Sequence, residues 1–111
     1  LSPLSVCLQV NLSGEASKGG VSPAAAPALA HAVAGLPRLR LRGLMAIPAP
    51  SDDYMVQRRP FRGLRELSEQ LQADGLLLDT LSMGMSHDLE AAIAEGATLV
   101  RVGTAIFGER R

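Results

Sequence analysis

Apolar residues along this 111-residue chain change their spacing several times, from the alternation of a strand to the three-to-four-residue spacing of a helix. Strands are predicted at 6–11, 41–47, 78–83 and 99–102. Helices are predicted at 22–34, 60–73 and 86–95, with a last helical turn beginning at 105–107. No hairpin signal separates the strands, so each needs a crossover helix. This β-α-β-α-β-α-β order predicts an α/β fold with a parallel sheet and right-handed connections.

The faces of the predicted strands favour a barrel over an open sheet. In the first strand, Val6, Leu8 and Val10 alternate with more polar neighbours. In the third strand, Thr80 and Ser82 share the face opposite the aliphatic residues. A sheet covered by helices on both sides would be apolar on both faces. We therefore predict that residues 1–111 form one partial domain, an arc of four βα units from a (β/α)8 barrel, with an open doubly wound sheet as the alternative.

Composition limits the possible partners. Lys plus Arg and Asp plus Glu each number 11, and aromatic residues make up 3% of the chain, which argues against nucleic acid and anionic membranes as partners. Cys7 is the single cysteine, so we expect a reducing, cytoplasmic location. The chain opens at Leu1 rather than Met and enters a strand within a few residues, so we expect it to be part of a longer protein.

Two loops at predicted strand ends carry the chemistry of a phosphate site. Ligands of parallel α/β folds bind at the carboxyl ends of the strands. After the third strand, Gly84 allows close backbone approach, and Ser86 places a hydroxyl at a helix N-terminus that favours an anion. An ordinary N-cap serine is the alternative. After the fourth strand, Gly103 and Thr104 are expected to donate hydrogen bonds to the same phosphate, which would lie between loops 83–86 and 103–104.

The other candidate residues are each open to two interpretations. Arg101 shares its strand face with Gly103, so its guanidinium is expected inside the barrel, against a ligand ring nitrogen or in a structural ion pair. Lys18 follows the first strand and is either a ligand-binding lysine or, more commonly, a solvated one. His31 and His87 are isolated, so no metal site is predicted. No catalytic residue is assigned.

Four segments resemble the pyridoxal-phosphate homeostasis proteins (the YggS/PROSC family), which are related to the barrel domain of bacterial alanine racemase. The segments are NLSGEASKG (11–19), LRGLMAIPAP (41–50), LSMGMSHD (81–88) and VRVGTAIFG (100–108). The resemblance implies a (β/α)8 barrel with one pyridoxal 5′-phosphate at its C-terminal mouth. The present four units would be strands five to eight, the C-terminal half of that barrel.

The resemblance also implies roles for individual residues. Ser86, Gly103 and Thr104 would hold the phosphate, Met85 would also bind the cofactor, and Arg101 would face the pyridine nitrogen. An arginine there keeps this nitrogen unprotonated and weakens the ring as an electron sink. The lysine that bonds the cofactor would lie upstream, outside this chain.

The function implied is binding, buffering and delivery of pyridoxal phosphate without catalysis. Pyridoxal-phosphate-dependent apo-enzymes are the expected recipients, and the complete protein is expected to be a monomer. An amino-acid racemase or decarboxylase that uses the same cofactor is the main alternative. A barrel enzyme acting on a phosphorylated metabolite and a nonfunctional truncated product are further alternatives. Alone, the chain is expected to be poorly stable and to bind the cofactor weakly, because its outer strand edges would be unpaired.

Overall fold

The computed structural model describes residues 3–12 and 19–100. Within them, the elements are β1 (Leu4–Gln9), α1 (Ala26–Ala34), β2 (Leu39–Ala46), α2 (Tyr54–Ala73), β3 (Thr80–Met83), a 3-10 turn (Ser86–Asp88) and α3 (Leu89–Ala94). The predicted alternation of strands and helices is confirmed over this part of the chain. None of the described helices is both long enough and apolar enough to span a membrane.

The sheet is parallel and its strands follow the chain in the order β1-β2-β3. Beyond β3, Leu99 forms a parallel bridge with Ser82, and its carbonyl accepts the Met83 N–H at 3.0 Å. The predicted fourth strand therefore begins beside β3, while 101–102 and the predicted turn at 105–107 lie outside the described residues. The prediction of a parallel α/β sheet is confirmed.

The apolar core lies on one face of this sheet. Phe61, Leu64 and Leu71 of α2 are fully buried, and so is Leu44 at the centre of β2. The side chains on the other sheet face do not join this core; they include Cys7, Gln9, Met45, Thr80 and Ser82. The two-faced pattern predicted from the strand sequences is therefore present in the fold.

Two helix starts differ from the prediction. α2 begins at Tyr54 rather than at Pro60, because the Asp53 side chain accepts the backbone N–H groups of Met55 and Val56 at 2.9 and 3.3 Å. Such a cap satisfies amides that the first helical turn leaves without partners. In α1, the regular helix begins at Ala26, and Ser22 caps the turn that precedes it.

One irregularity sets the register of the sheet. Val6 pairs with Leu41, but Cys7 pairs with Gly43, so β2 carries one extra residue, Arg42. The Arg42 guanidinium donates two hydrogen bonds to Asp79, of 2.9 and 2.6 Å. These bonds, with one from Thr80, lower the pKa of Asp79 from 3.8 to about 2. The bulge thus connects β2 to the residue that immediately precedes β3.

Next to the bulge, β2 approaches β3 too closely for a side chain. A methyl group on Gly43 would overlap the carbonyl oxygen of Thr80, which belongs to the backbone and cannot rotate away. We predict that Gly43→Ala lowers the free energy of unfolding by about 3 kcal/mol, at the upper end of overpacking costs. Urea denaturation of the whole chain measures this change in the free energy of unfolding.

Gly35→Ala is the matched control. Gly35 has an ordinary φ of −84°, and an added methyl group would come no closer than 3.6 Å to its nearest neighbour, the Ala32 carbonyl oxygen. It should change stability by less than about 0.5 kcal/mol. Equal effects of the two substitutions would contradict a steric role for Gly43.

Candidate functional site

The carboxyl ends of the strands meet at one edge of the sheet. The end of β2 and the loop after β3 enclose a cavity of about 10 Å³, close to the space of one water molecule. Its lining consists of Ala46, Ile47, Pro48, Ser82, Met83, Gly84, Met85, His87 and Asp88. The predicted loop 83–86 therefore lies at the edge where a parallel fold binds its ligands.

The loop after β3 rests directly on α3. Gly84 has a φ of +105°, and a Cβ at this position would lie 2.5 Å from the Cβ of Ala92. Asp88 is 5% exposed, and its carboxylate accepts the Met85 N–H at 2.7 Å. The backbone path from Gly84 to Asp88 is thus set by contacts at both of its ends.

Met85 and Ser86 stand where this loop turns into helix. The prediction that Ser86 is the N-cap is wrong by one residue, because Met85 has the extended backbone of the cap and Ser86 opens the 3-10 turn. Ser86 is half-buried and Met85 is exposed. Met85 lines the cavity beside the end of β2, and Ser86 follows it in the chain, so the ligand roles predicted for these two residues stay predictions.

The remaining predicted ligand residues fall elsewhere in the chain. Arg101, Gly103, Thr104 and Lys18 lie outside the described residues, so the pairing of the two phosphate loops stays a prediction. Gly19, which follows Lys18 in the chain, is described. Its carbonyl oxygen accepts a 3.3 Å hydrogen bond from the Gln9 side chain.

The orientation of α3 differs from the prediction. The apolar spacing of Leu89, Ala92 and Ile93 predicts that these three residues form its buried side, but Ile93 is 58% exposed and Leu89 only half-buried. Ala91 and Ala92 are the buried pair. Helical spacing does not say which stripe of a short helix faces the core when apolar residues occupy more than one.

A buried ion cluster at the end of α3 was not predicted from the sequence. Glu95, at the C-terminal end of the helix, is 1% exposed. Its carboxylate pairs with Arg58 at 2.7 Å, Arg62 at 3.3 Å and Arg65 at 3.5 Å, all on α2. The available signal was the spacing of these arginines by four and three residues, which places them on one helical face. We call these four residues the Glu95 cluster.

The charge of the Glu95 carboxylate is stabilised by its partners. Burial alone raises the pKa of this carboxyl, but hydrogen bonds from Arg58 and Arg62 and their positive charge outweigh burial. The pKa therefore lies below its ordinary value of 4.5. A carboxylate with a lowered pKa stabilises the folded chain above pH 4.5 and loses this effect as the pH falls through the folded-state pKa.

The start of α2 also contacts the candidate site. The Gln57 side chain donates to the carbonyl oxygens of Ser51, at 2.6 Å, and His87, at 3.4 Å. Contacts with α2 therefore hold the turn Ser86–Asp88, just as the Glu95 cluster joins the C-terminal end of α3 to α2.

Cys7 and the two histidines are the other titratable groups that the sequence singles out among the described residues. Burial is the main influence on the Cys7 thiol and raises its pKa, which opposes formation of a nucleophilic thiolate. His31 and His87 lie 3.5 Å from Asp74 and Asp88, respectively. Within 3–12 and 19–100, no group of three side chains has the arrangement of a metal site.

Comparison with solved structures defines the class first: this is a parallel α/β domain, and one protein that shares it was solved with pyridoxal phosphate bound. A protein from Bifidobacterium adolescentis superposes with a TM-score of 0.89 at 46% identity, over 96% of this chain and 44% of that one. PipY of Synechococcus elongatus with pyridoxal phosphate bound gives 0.81 at 34%, over 96% and 50%. Diaminopimelate decarboxylase of Helicobacter pylori, at 13% identity and a TM-score of 0.71, shares the fold.

The family follows from the sequence. Residues 1–111 match the alanine racemase N-terminal domain, and the chain belongs to that family. Proteins named pyridoxal phosphate homeostasis protein are 64% identical in Pseudomonas aeruginosa and 54% identical in Escherichia coli K12, each over 110 residues. The chain covers 46% and 47% of those two proteins, so it spans about half their length. The resemblance found in the sequence is confirmed.

We predict that the Gly84 contact with α3 is steric. Gly84→Ala and Gly96→Ala both place alanine at a positive φ, of +105° and +96°, but the added methyl group at Gly96 comes no closer than 3.7 Å to its nearest neighbour. Gly84→Ala should therefore cost about 1–3 kcal/mol more in urea denaturation. Adding Ala92→Gly should recover part of the difference, and no recovery would contradict the contact.

A second prediction concerns pH. Glu95→Gln should lower the free energy of unfolding by about 2 kcal/mol at pH 7, the scale of hydrogen bonds to a charged group. Because the pKa of Glu95 is lowered, the difference between the two proteins should shrink as the pH falls below 4.5. Denaturation curves across pH 3–7 measure this, and a pH-independent difference would contradict it.

Proposed function

We propose that this chain is the C-terminal half of a pyridoxal-phosphate-binding barrel and contributes its phosphate-binding loops to a protein of pyridoxal-phosphate homeostasis. One observation carries the proposal. The loop after β3 lies at the carboxyl edge of a fold that PipY shares over 96% of this chain, and the PipY structure has pyridoxal phosphate bound.

The sheet supports the barrel. Its parallel strands follow one another in chain order, whereas a doubly wound sheet reverses its order at a switch point. Its apolar core lies on one face, and Cys7, Gln9 and Ser82 line the other. A barrel arc has helices outside and such side chains inside. About half the relatives' length remains for strands one to four.

The donors at the loop suit a phosphate. The Ser86 hydroxyl and the first amides of the turn Ser86–Asp88 are neutral hydrogen-bond donors of the kind that hold phosphates at helix starts. The carboxylate nearest them, Asp88, is buried and accepts the Met85 N–H. Gly103 and Thr104 would complete the phosphate site, with Arg101 at the pyridine nitrogen. When bound, pyridoxal phosphate supplies an aldehyde that reacts with amines.

A carrier role is favoured over a racemase or decarboxylase. These enzymes need an additional acid such as tyrosine or cysteine at the cofactor. Tyr54 is the one tyrosine, and its ring centroid lies 5.6 Å from the Arg58 guanidinium carbon, in the neighbourhood of the Glu95 cluster. Burial raises the pKa of the Cys7 thiol. Delivery to apo-enzymes, a monomeric complete protein and a cytoplasmic location stay predictions.

The test compares two proteins. The first is this chain, and the second, which we call the joined protein, places the unmatched part of the Pseudomonas aeruginosa relative before residue 1. Each is titrated with pyridoxal phosphate, reduced with borohydride and mapped by peptide analysis. We expect stoichiometric labelling of the joined protein at a lysine upstream of residue 1, and weak labelling of the chain alone. Stoichiometric labelling at Lys18 would contradict the proposed site of the covalent bond, and no binding by the joined protein would contradict the function.

Ser86→Ala in the joined protein tests the phosphate contact. Loss of one hydrogen bond to a charged group should weaken pyridoxal-phosphate binding about tenfold, a change of about 1.4 kcal/mol. Binding of pyridoxal, which lacks the phosphate, should be unchanged. Ser68→Ala, on α2, is the control. Equal weakening of both ligands would contradict a contact between Ser86 and the phosphate.

A further inference from the structure

We propose that Glu95 is a positioning residue for the phosphate loop: through its three arginines, it fixes α3, and α3 fixes Gly84–Ser86. This inference rests on the proposed function. It assigns a role in ligand binding to a buried cluster that does not itself line the cavity at the mouth.

The first step is that α3 has little apolar contact of its own. It is six residues long, well below the length at which helices are stable alone. Its buried residues are Ala91 and Ala92, whose methyl groups each bury little surface. The large side chain of Ile93 is 58% exposed. Polar contacts must therefore contribute much of what holds this helix.

The Glu95 cluster supplies these polar contacts from α2, a helix that is itself firmly packed against the sheet. α2 is 20 residues long and buries Phe61, Leu64 and Leu71 completely against the sheet. Two cluster arginines, Arg62 and Arg65, flank this buried stripe on the same helix. A charged hydrogen bond is about twice as strong as a neutral one, and Glu95 accepts from more than one guanidinium.

The third step is that a displacement of α3 must reach the loop. Glu95 lies seven residues after Asp88, about 10 Å along a helix at 1.5 Å per residue. Within that distance, Ala92 packs against Gly84 without space for a further atom, and Asp88 holds the Met85 N–H at 2.7 Å. Close-packed groups transmit displacement rather than absorb it. A shift of α3 therefore changes the position of the amides and hydroxyl that face the phosphate.

The effect should be specific to the phosphate end of the ligand. The loop contacts the phosphate, while the ring is expected at Arg101 and the covalent bond at an upstream lysine. Loosening α3 should weaken phosphate binding and leave contacts with the ring intact. A general loss of stability would weaken both.

The experiment uses Glu95→Gln in the joined protein, with Glu90→Gln as the matched control. Glu90 is an exposed acidic residue on the same helix. We expect Glu95→Gln to raise the Kd for pyridoxal phosphate about tenfold and to weaken competition by inorganic phosphate similarly. The Kd for pyridoxal should stay within about twofold, and Glu90→Gln should alter none of these. An unchanged Kd for pyridoxal phosphate, or an equal rise for pyridoxal, would overturn the proposal.

A second variant covers the possibility that Glu95→Gln does not fold. Arg62→Gln removes one half-exposed partner and leaves Arg58 and Arg65 on the carboxylate. It should give a smaller change in the same direction, about threefold in the Kd for pyridoxal phosphate. No change in this Kd would overturn the proposal.

A ligand-free measurement separates this inference from the proposed function. Amide hydrogen exchange at 84–88 should accelerate in Glu95→Gln and Arg62→Gln but not in Glu90→Gln. If the joined protein binds no pyridoxal phosphate, the proposed function fails, and the exchange rates still decide whether the cluster holds the loop. Unchanged exchange at 84–88 would overturn the positioning role even if the protein binds its cofactor.

Discussion

The ion pairs between Glu95 and the arginines of α2 connect the loop at the mouth of the sheet to its apolar core. A buried carboxylate loses the solvation of water, and this loss is offset only when several donors surround it. Arg58, Arg62 and Arg65 meet that requirement from one helix, while part of each guanidinium side chain remains exposed to water. The arrangement costs less than a fully buried pair. In the proposed positioning role, it also holds α3, whose two small buried side chains would fix the helix less firmly on their own.

The second constraint is the close approach of β2 to β3. Because Gly43 has no side chain, the strands can approach there, and the extra residue at Arg42 shifts the register between β1 and β2 by one position. Beyond the bulge, the strands align so that Met45 pairs with Ser82 and Ala46 with Met83. The register at one end of the sheet therefore determines which side chains meet at the other, where the ligand is expected.

Together these constraints give the two ends of the sheet different contacts. At the start of β3, Asp79 is held to Arg42, in the middle of β2, through paired hydrogen bonds. At the carboxyl end of β3, the following loop has its backbone fixed by Gly84 and Asp88, and Ser86 lies between them in the chain. Barrels of parallel strands generally separate stability at one end of the strands from ligand chemistry at the other, and the proposed phosphate site follows that division.

Much of this was predictable from the sequence because it depends on local periodicity. The alternation of strand and helix, the two-faced strands and the buried stripe of α2 all follow from residues close together in the chain. The location of Met85 and Ser86 after a parallel strand follows from the same rule. The start of α2 was missed because its first turn has few buried residues, although Asp53 carried the capping signal.

Tertiary structure alone decided the rest. The extra residue at Arg42, the face of α3 that packs inward and the pairing of Glu95 with three arginines depend on which distant segments meet. No periodicity within a six-residue helix distinguishes Ala91 from Ile93 as the buried residue, because both are apolar and the choice belongs to the surface opposite. The sequence by itself determined the class of fold and the edge of the sheet at which the loop after β3 lies. The contacts between α2, α3 and the sheet determined how that edge is held.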